Sequence, residues 1–164
     1  MDKAKRVLVA LAFSTYAKGT FAFGADLARR MEAELMVASI INQRDVESVR
    51  TISAMGYDVD GEHYVETIRK DRERMLAGIA GAAGVPMENI RALFRVGNPV
   101  DELLRIIVEE DVDIVVMGPK GRTDLETVFV GSVAEKVFRR SPATVISYRD
   151  PEVYQRFKAL IDHG

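Results

Sequence analysis

Apolar positions along this chain fall into two alternating rhythms. Val7-Leu8-Val9-Ala10-Leu11-Ala12-Phe13 is apolar without a break. So short a run, apolar on both faces, predicts a central strand of a parallel sheet covered by helices. Ser14-Thr15 follows as a polar turn and helix cap. Over residues 17–31, Phe21, Gly24, Ala25, Ala28 and Met31 recur at helical spacing, with Asp26, Arg29 and Arg30 outside. Residues 35–41 form a second apolar strand. Residues 42–61 are polar and mixed, and predict a long connection carrying a short helix at 46–55. Val65, Ile68, Met75, Leu76, Ile79 and Ala83 predict a helix over 62–83. Its charged run, Arg69, Lys70, Arg72, Glu73 and Arg74, reads as a solvated outer face. Gly84-Val85-Pro86 stops it.

Residues 90–96 are a third strand, less apolar and so nearer a sheet edge. Gly97-Asn98-Pro99 turns the chain into a helix over 100–110, with Asn98 as cap and Pro99 in the first turn. Its buried stripe reads Val100, Leu103, Leu104, Ile107 and Val108. A fourth strand spans 113–117. The next helix, 131–140, turns Val133, Val137 and Phe138 inward. Ala143-Thr144-Val145-Ile146-Ser147 is the last strand. Strands alternating with helices predict an α/β fold, an open parallel sheet with helices on both faces. Residues 1–150 form that domain. Residues 151–164 follow as an amphipathic extension, with Val153, Tyr154, Phe157, Leu160 and Ile161 at helical spacing. So short a helix does not stand alone in water and has to dock on its own domain or on a partner chain.

Composition narrows the function classes. The 164 residues are 48% hydrophobic and 29% charged, which is ordinary for one globular domain. A net charge of -2 gives no global field for nucleic acid or an anionic membrane. With no cysteine there is no disulfide, thiol catalyst or thiolate metal site. No window reaches the roughly 20 apolar residues of a membrane span, and the first apolar run is too short for a signal peptide. The expectation is a soluble, cytoplasmic protein.

Candidate chemistry gathers late in the chain. Val115-Val116-Met117-Gly118-Pro119-Lys120-Gly121 reads as a buried strand and a glycine turn, and Gly131-Ser132-Val133 opens a helix. Glycine lets a ligand approach the backbone, and the first N–H groups of a helix offer an anion site. The alternative is that these glycines serve tight turns and helix–strand packing. The spacing is not a Walker A loop, because Arg122 follows Gly121, and the Rossmann dinucleotide fingerprint would follow the first strand. Lys120 and Arg122 are either exposed loop cations or mobile cations near a phosphate. The loop over residues 122–130 could fold over a ligand as a lid. Asp124 and Glu126 within it read as solvated. His63 and His163 have no partner at metal spacing, so no metal site is expected, and Ser14 and Ser132 have no visible base, so no catalytic residue is assigned.

The pattern of Gly118, two residues, Gly121, nine residues and Gly131-Ser132 resembles the nucleotide motif of the universal stress protein family. Other motifs agree in order. Val7-Leu8-Val9-Ala10-Leu11 resembles the family's first strand, and Ser14 stands at its usual serine. Asp111-Val112-Asp113-Ile114-Val115-Val116-Met117-Gly118 resembles a later strand, and Ser141-Pro142-Ala143-Thr144-Val145 the last one. The resemblance implies a Rossmann-like, five-stranded parallel sheet of order 3-2-1-4-5 in a homodimer joined through the last strands. It also implies ATP or AMP as ligand, with magnesium in attendance. Met117 and Gly118 would line the ribose and phosphate side. Gly121, Gly131, Ser132 and Val133 would hold the phosphates, and Ile40 would meet adenine through its backbone.

This chain departs from the family at one place. Ala12 stands where the nucleotide-binding branch carries an Asp, and Phe13 is large where a glycine is common. Phe13 would either narrow the crevice or stack on a base. The leading expectation is a regulatory protein that binds adenine nucleotide and acts in a stress response. A dimeric interaction module without nucleotide is the second reading. A slow ATP hydrolase is the third, disfavoured because no general base is evident.

Overall fold

A computed structural model describes residues 4–119 and 132–163. Five parallel strands form one sheet in the order β3-β2-β1-β4-β5. They are β1 (Arg6–Ala10), β2 (Glu34–Asn42), β3 (Ile90–Gly97), β4 (Ile114–Met117) and β5 (Thr144–Ser147). Six helices accompany them: α1 (Ala17–Met31), α2 (Gln43–Ala54), α3 (Gly61–Ala82), α4 (Pro99–Glu109), α5 (Ser132–Arg140) and α6 (Pro151–Asp162). A single 3-10 turn, Met87–Asn89, leads into β3.

Strand alternation separates two cores. Val7, Val9, Val37 and Val116 point to the face covered by α1 and α3, where they meet Phe21, Ala28, Leu76 and Ala80. Leu8, Met36, Val115 and Met117 point to the face of α4 and α5, against Leu103, Ile106, Ile107 and Val137. Fully burying side chains of this size contributes about 1.5–3 kcal/mol each. The central strands are thus covered on both sides, as their unbroken apolar runs require.

Side-chain caps fix several helix starts. Asn42 accepts from the Arg44 N–H, Asp60 from Glu62, Asn98 from both Val100 and Asp101, and Asp150 from Val153. Each satisfies first-turn donors that the helix leaves open. The Asn42 cap starts α2 three residues earlier than its apolar pattern suggests. The predicted long connection is therefore mostly helix.

Four expectations are corrected. The first strand stops at Ala10 rather than running to Phe13, because β2 and β4 pair with it only as far as Ala10. Leu11 still donates to the Ala38 carbonyl at 2.9 Å, and the chain then turns through Phe13 at φ 53°. Arg72 is not on the solvated face of α3 but buried, 9% exposed. It lies four residues from Ile68 and four from Leu76, and so on the inward side. Val108 and Phe138 are exposed rather than inward, 64% and 69%. Val108 gives its place in the stripe to Ile106, and Val137 alone carries the burial of α5.

Among the described residues, no helix is long and apolar enough to cross a membrane.

Candidate functional site

Register aligns the strand ends that build the site. Ala10 pairs with Ala38 on one side and with Met117 on the other. Strand order reverses between β1 and β4, so the loops leaving them diverge and open a crevice at their carboxyl ends. A cleft of about 430 Å³ lies there. That volume is within the roughly 300–1,000 Å³ of small-molecule sites.

Eight elements contribute residues to its lining. Ala10, Leu11, Ala12 and Ser14 come from the end of β1 and its loop, and Tyr16, Ala17 and Thr20 from the start of α1. Met117 and Gly118 end β4, with Val133 and Ala134 from the first turn of α5 and Pro99 and Leu103 from α4. Ala38, Ile40, Ile41 and Asn42 come from β2, Asp45 from α2, and Tyr64, Ile68 and Arg72 from α3.

The two ends of the cleft differ in chemistry. Gly118 at the end of β4 and Val133 and Ala134 in the first turn of α5 line the same cleft, and the first N–H groups of a helix lack internal partners. At the β2 end, Ile40, Ile41 and Ile68 stand beside Asn42, Asp45, Tyr64 and a buried cation. Arg72 Nη1 donates to Ser39 Oγ and to the Ile40 carbonyl, both at 2.8 Å. Burying a guanidinium is costly unless hydrogen bonds replace its water. These two bonds tie the middle of α3 to the carboxyl end of β2.

The mouth of the cleft connects to the last helix. Tyr16 begins α1 without a side-chain cap. Its N–H meets Ser14 Oγ at 3.3 Å, and its hydroxyl accepts from Arg156 Nη2 of α6 at 3.3 Å. Val153 of α6 is buried at 1% exposure. The Tyr148 ring stacks on Phe23 of α1 at 4.8 Å. The extension thus touches its own domain through the buried Val153 and the Arg156–Tyr16 hydrogen bond. Tyr154, Leu160 and Ile161, expected on its docking face, are exposed.

Six of the residues singled out in the sequence, Ala12, Ser14, Ile40, Met117, Gly118 and Val133, converge on this cleft. Ser132 is exposed at the start of α5. Lys120, Gly121, Arg122 and Gly131 lie outside the described residues, as does the loop over 122–130. Phe13 neither narrows the cleft nor faces it. Its left-handed backbone sends the ring into the α1–α3 core, beside a second concavity lined by Met75 and Ile79. That conformation is one in which glycine carries no steric penalty. Arg72, Tyr64, Asp45 and Tyr16 were missed as site residues. Only the helical spacing of Arg72 from Ile68 and Leu76 signalled it in advance. Among the described residues, no group of three His, Asp or Glu could hold a metal ion.

A sequence profile of the universal stress protein family matches residues 3–149. A Staphylococcus haemolyticus protein named for the same family is 29% identical over 158 residues, covering 94% of this chain and 90% of its own. The universal stress protein UspA of Lactobacillus plantarum has a similar fold, with a TM-score of 0.66 at 18% identity over 91% of this chain and all of that one. A universal stress protein solved in complex with cAMP gives a TM-score of 0.60 at 23% identity, over 90% of this chain and 98% of that one.

Proposed function

The chain belongs to the universal stress protein family, and from that premise we propose that it binds an adenine nucleotide, ATP or AMP, in the cleft between β1 and β4. It acts in this reading as a cytoplasmic homodimeric regulator of a stress response. The observation that carries the reading is that Gly118 and the first turn of α5 both line the cleft at the strand-order reversal. Phosphates sit there against helix N–H donors, and magnesium accompanies them. The ribose lies over Met117 and Ala12, and the base reaches Ile40. A family relative holds cAMP, a ligand with the same base, sugar and phosphate parts.

Binding is what such a protein does with its ligand. Occupancy favours whichever arrangement of the α5 end and its neighbours holds the phosphates better, and so shifts the population a partner meets. The homodimer reading rests on β5, a sheet-edge strand with half-buried Val145 and Ile146 and an open row of backbone groups.

Calorimetry on ligand-free protein tests the site. ATP with magnesium should bind at one site per chain, and Gly118→Val should weaken it at least tenfold without lowering the melting temperature. Equal binding by the variant would place the ligand elsewhere.

Ala12 favours the second reading, a dimeric interaction module without nucleotide, because the carboxylate that would hold a ribose is missing. Silence toward ATP, ADP and AMP in the same experiment would make it the better account.

A further inference from the structure

Helix α6 begins at Pro151, beyond the stretch this chain shares with its family, yet it is tied to the cleft. The segment leading into it touches both walls. The Tyr148 N–H donates to the carbonyl of Met117, a cleft residue, at 2.8 Å. On the other side, a β-carbon built on Gly19 of α1 would lie 3.2 Å from Cε1 of Tyr148 and 3.7 Å from Cβ of Asp150. Asp150 then caps α6.

Tyr16 is where the helix meets the ligand space. The residue is half-buried and lines the cleft. Its backbone is held locally, with the N–H on Ser14 Oγ and the carbonyl accepting from Thr20 Oγ1 at 2.8 Å. Its side chain is held from far away in sequence, by Arg156 Nη2 donating to the hydroxyl at 3.3 Å. Val153 and Arg156, three residues apart, share one side of α6. Burial of Val153 therefore sets the helix that carries the guanidinium. A ring that is already fixed spares an incoming ligand the cost of ordering it, whereas a loose ring adds that cost to binding.

We propose that Arg156 is a positioning residue for the cleft: it fixes the Tyr16 ring in the wall, so that seating of α6 and occupancy of the cleft strengthen each other. The inference takes its ligand from the nucleotide reading of the site, while its geometry stands on Tyr16 and α6. Such coupling is reciprocal. Whatever lifts α6 from the domain weakens the ligand by the same factor by which the ligand holds α6 in place. The C-terminal helix thereby becomes the handle through which a partner senses, or discharges, the bound ligand.

The experiment titrates full-length, ligand-free protein with ATP and magnesium, at a temperature well below melting. Native protein is compared with Arg156→Ala, with Tyr16→Phe and with the two combined. Arg156→Ala should weaken ATP about three- to tenfold, the effect of one intramolecular hydrogen bond. Tyr16→Phe keeps the ring and removes the hydroxyl, and should cost the same. The double variant should lose no more than either single one, because both sever one link. Ile161→Ala, on a part of α6 that is 80% exposed, should bind like the native protein. An arginine with only a structural role would lower the melting temperature and leave the affinity unchanged. That result would overturn the inference and leave the nucleotide site standing. So would additive losses in the double variant, or equal weakening by Ile161→Ala. Native protein that binds no ATP would overturn both.

Discussion

A β-carbon built on Gly24 would lie 2.3 Å from Cγ2 of Val9. Helix α1 therefore rests directly on the central strand at its middle turn. Gly24→Ala must push the helix off the sheet or distort Val9. Overpacking of this kind costs about 1–3 kcal/mol, against a helix-propensity gain of up to about 1 kcal/mol. The variant should be less stable in urea denaturation. Gly81→Ala on α3 is the control, since nothing lies within 4 Å of its β-carbon, and it should be neutral or slightly stabilising. Equal effects would mean that α1 does not pack this closely.

Phe13→Ala separates the core from the site. The half-buried ring packs among α1 and α3, so its loss should lower stability by about 2 kcal/mol, part of the cost of a fully buried Phe. Because the ring does not line the cleft, ATP affinity should change by less than about twofold. Altered affinity with unchanged melting would reverse the placement.

Ala12→Asp restores a carboxylate at the edge of the cleft, where Ala12 is exposed. A charged hydrogen bond to ribose contributes roughly 1.5–3 kcal/mol. ATP should then bind about ten- to hundred-fold tighter in calorimetry. No gain would mean that the ribose does not pass over this residue.

Removal of residues 151–164 takes away the buried Val153 and the Arg156–Tyr16 hydrogen bond. Losing one fully buried Val side chain amounts to about 2 kcal/mol, or a fall of roughly 4–8 °C in Tm for a domain of this size. Differential scanning fluorimetry reads it directly. An unchanged Tm would mean that α6 is not part of the folded unit.

The edge position of β3 was legible in its less apolar run, while the sheet order came from the family resemblance that the ordered motifs carry. Burial of Arg72 was not, although its spacing from Ile68 and Leu76 is helical. A charge in a charged run suggests solvent, and only the partners on β2, distant in sequence, reverse that. Phe13 misled in the opposite way. Its side chain suggested a ligand contact, while its backbone conformation decided where the ring went. Val108 and Phe138 illustrate a third case, in which the apolar stripe on a short helix is narrower than its apolar content.

The most direct test is to purify the protein without added nucleotide, denature it, and identify the released small molecule by chromatography and mass spectrometry. The account predicts a purine nucleotide in near one-to-one ratio with the chain, and its loss in Gly118→Val. An empty native protein that also fails to take up ATP with magnesium in calorimetry would contradict it.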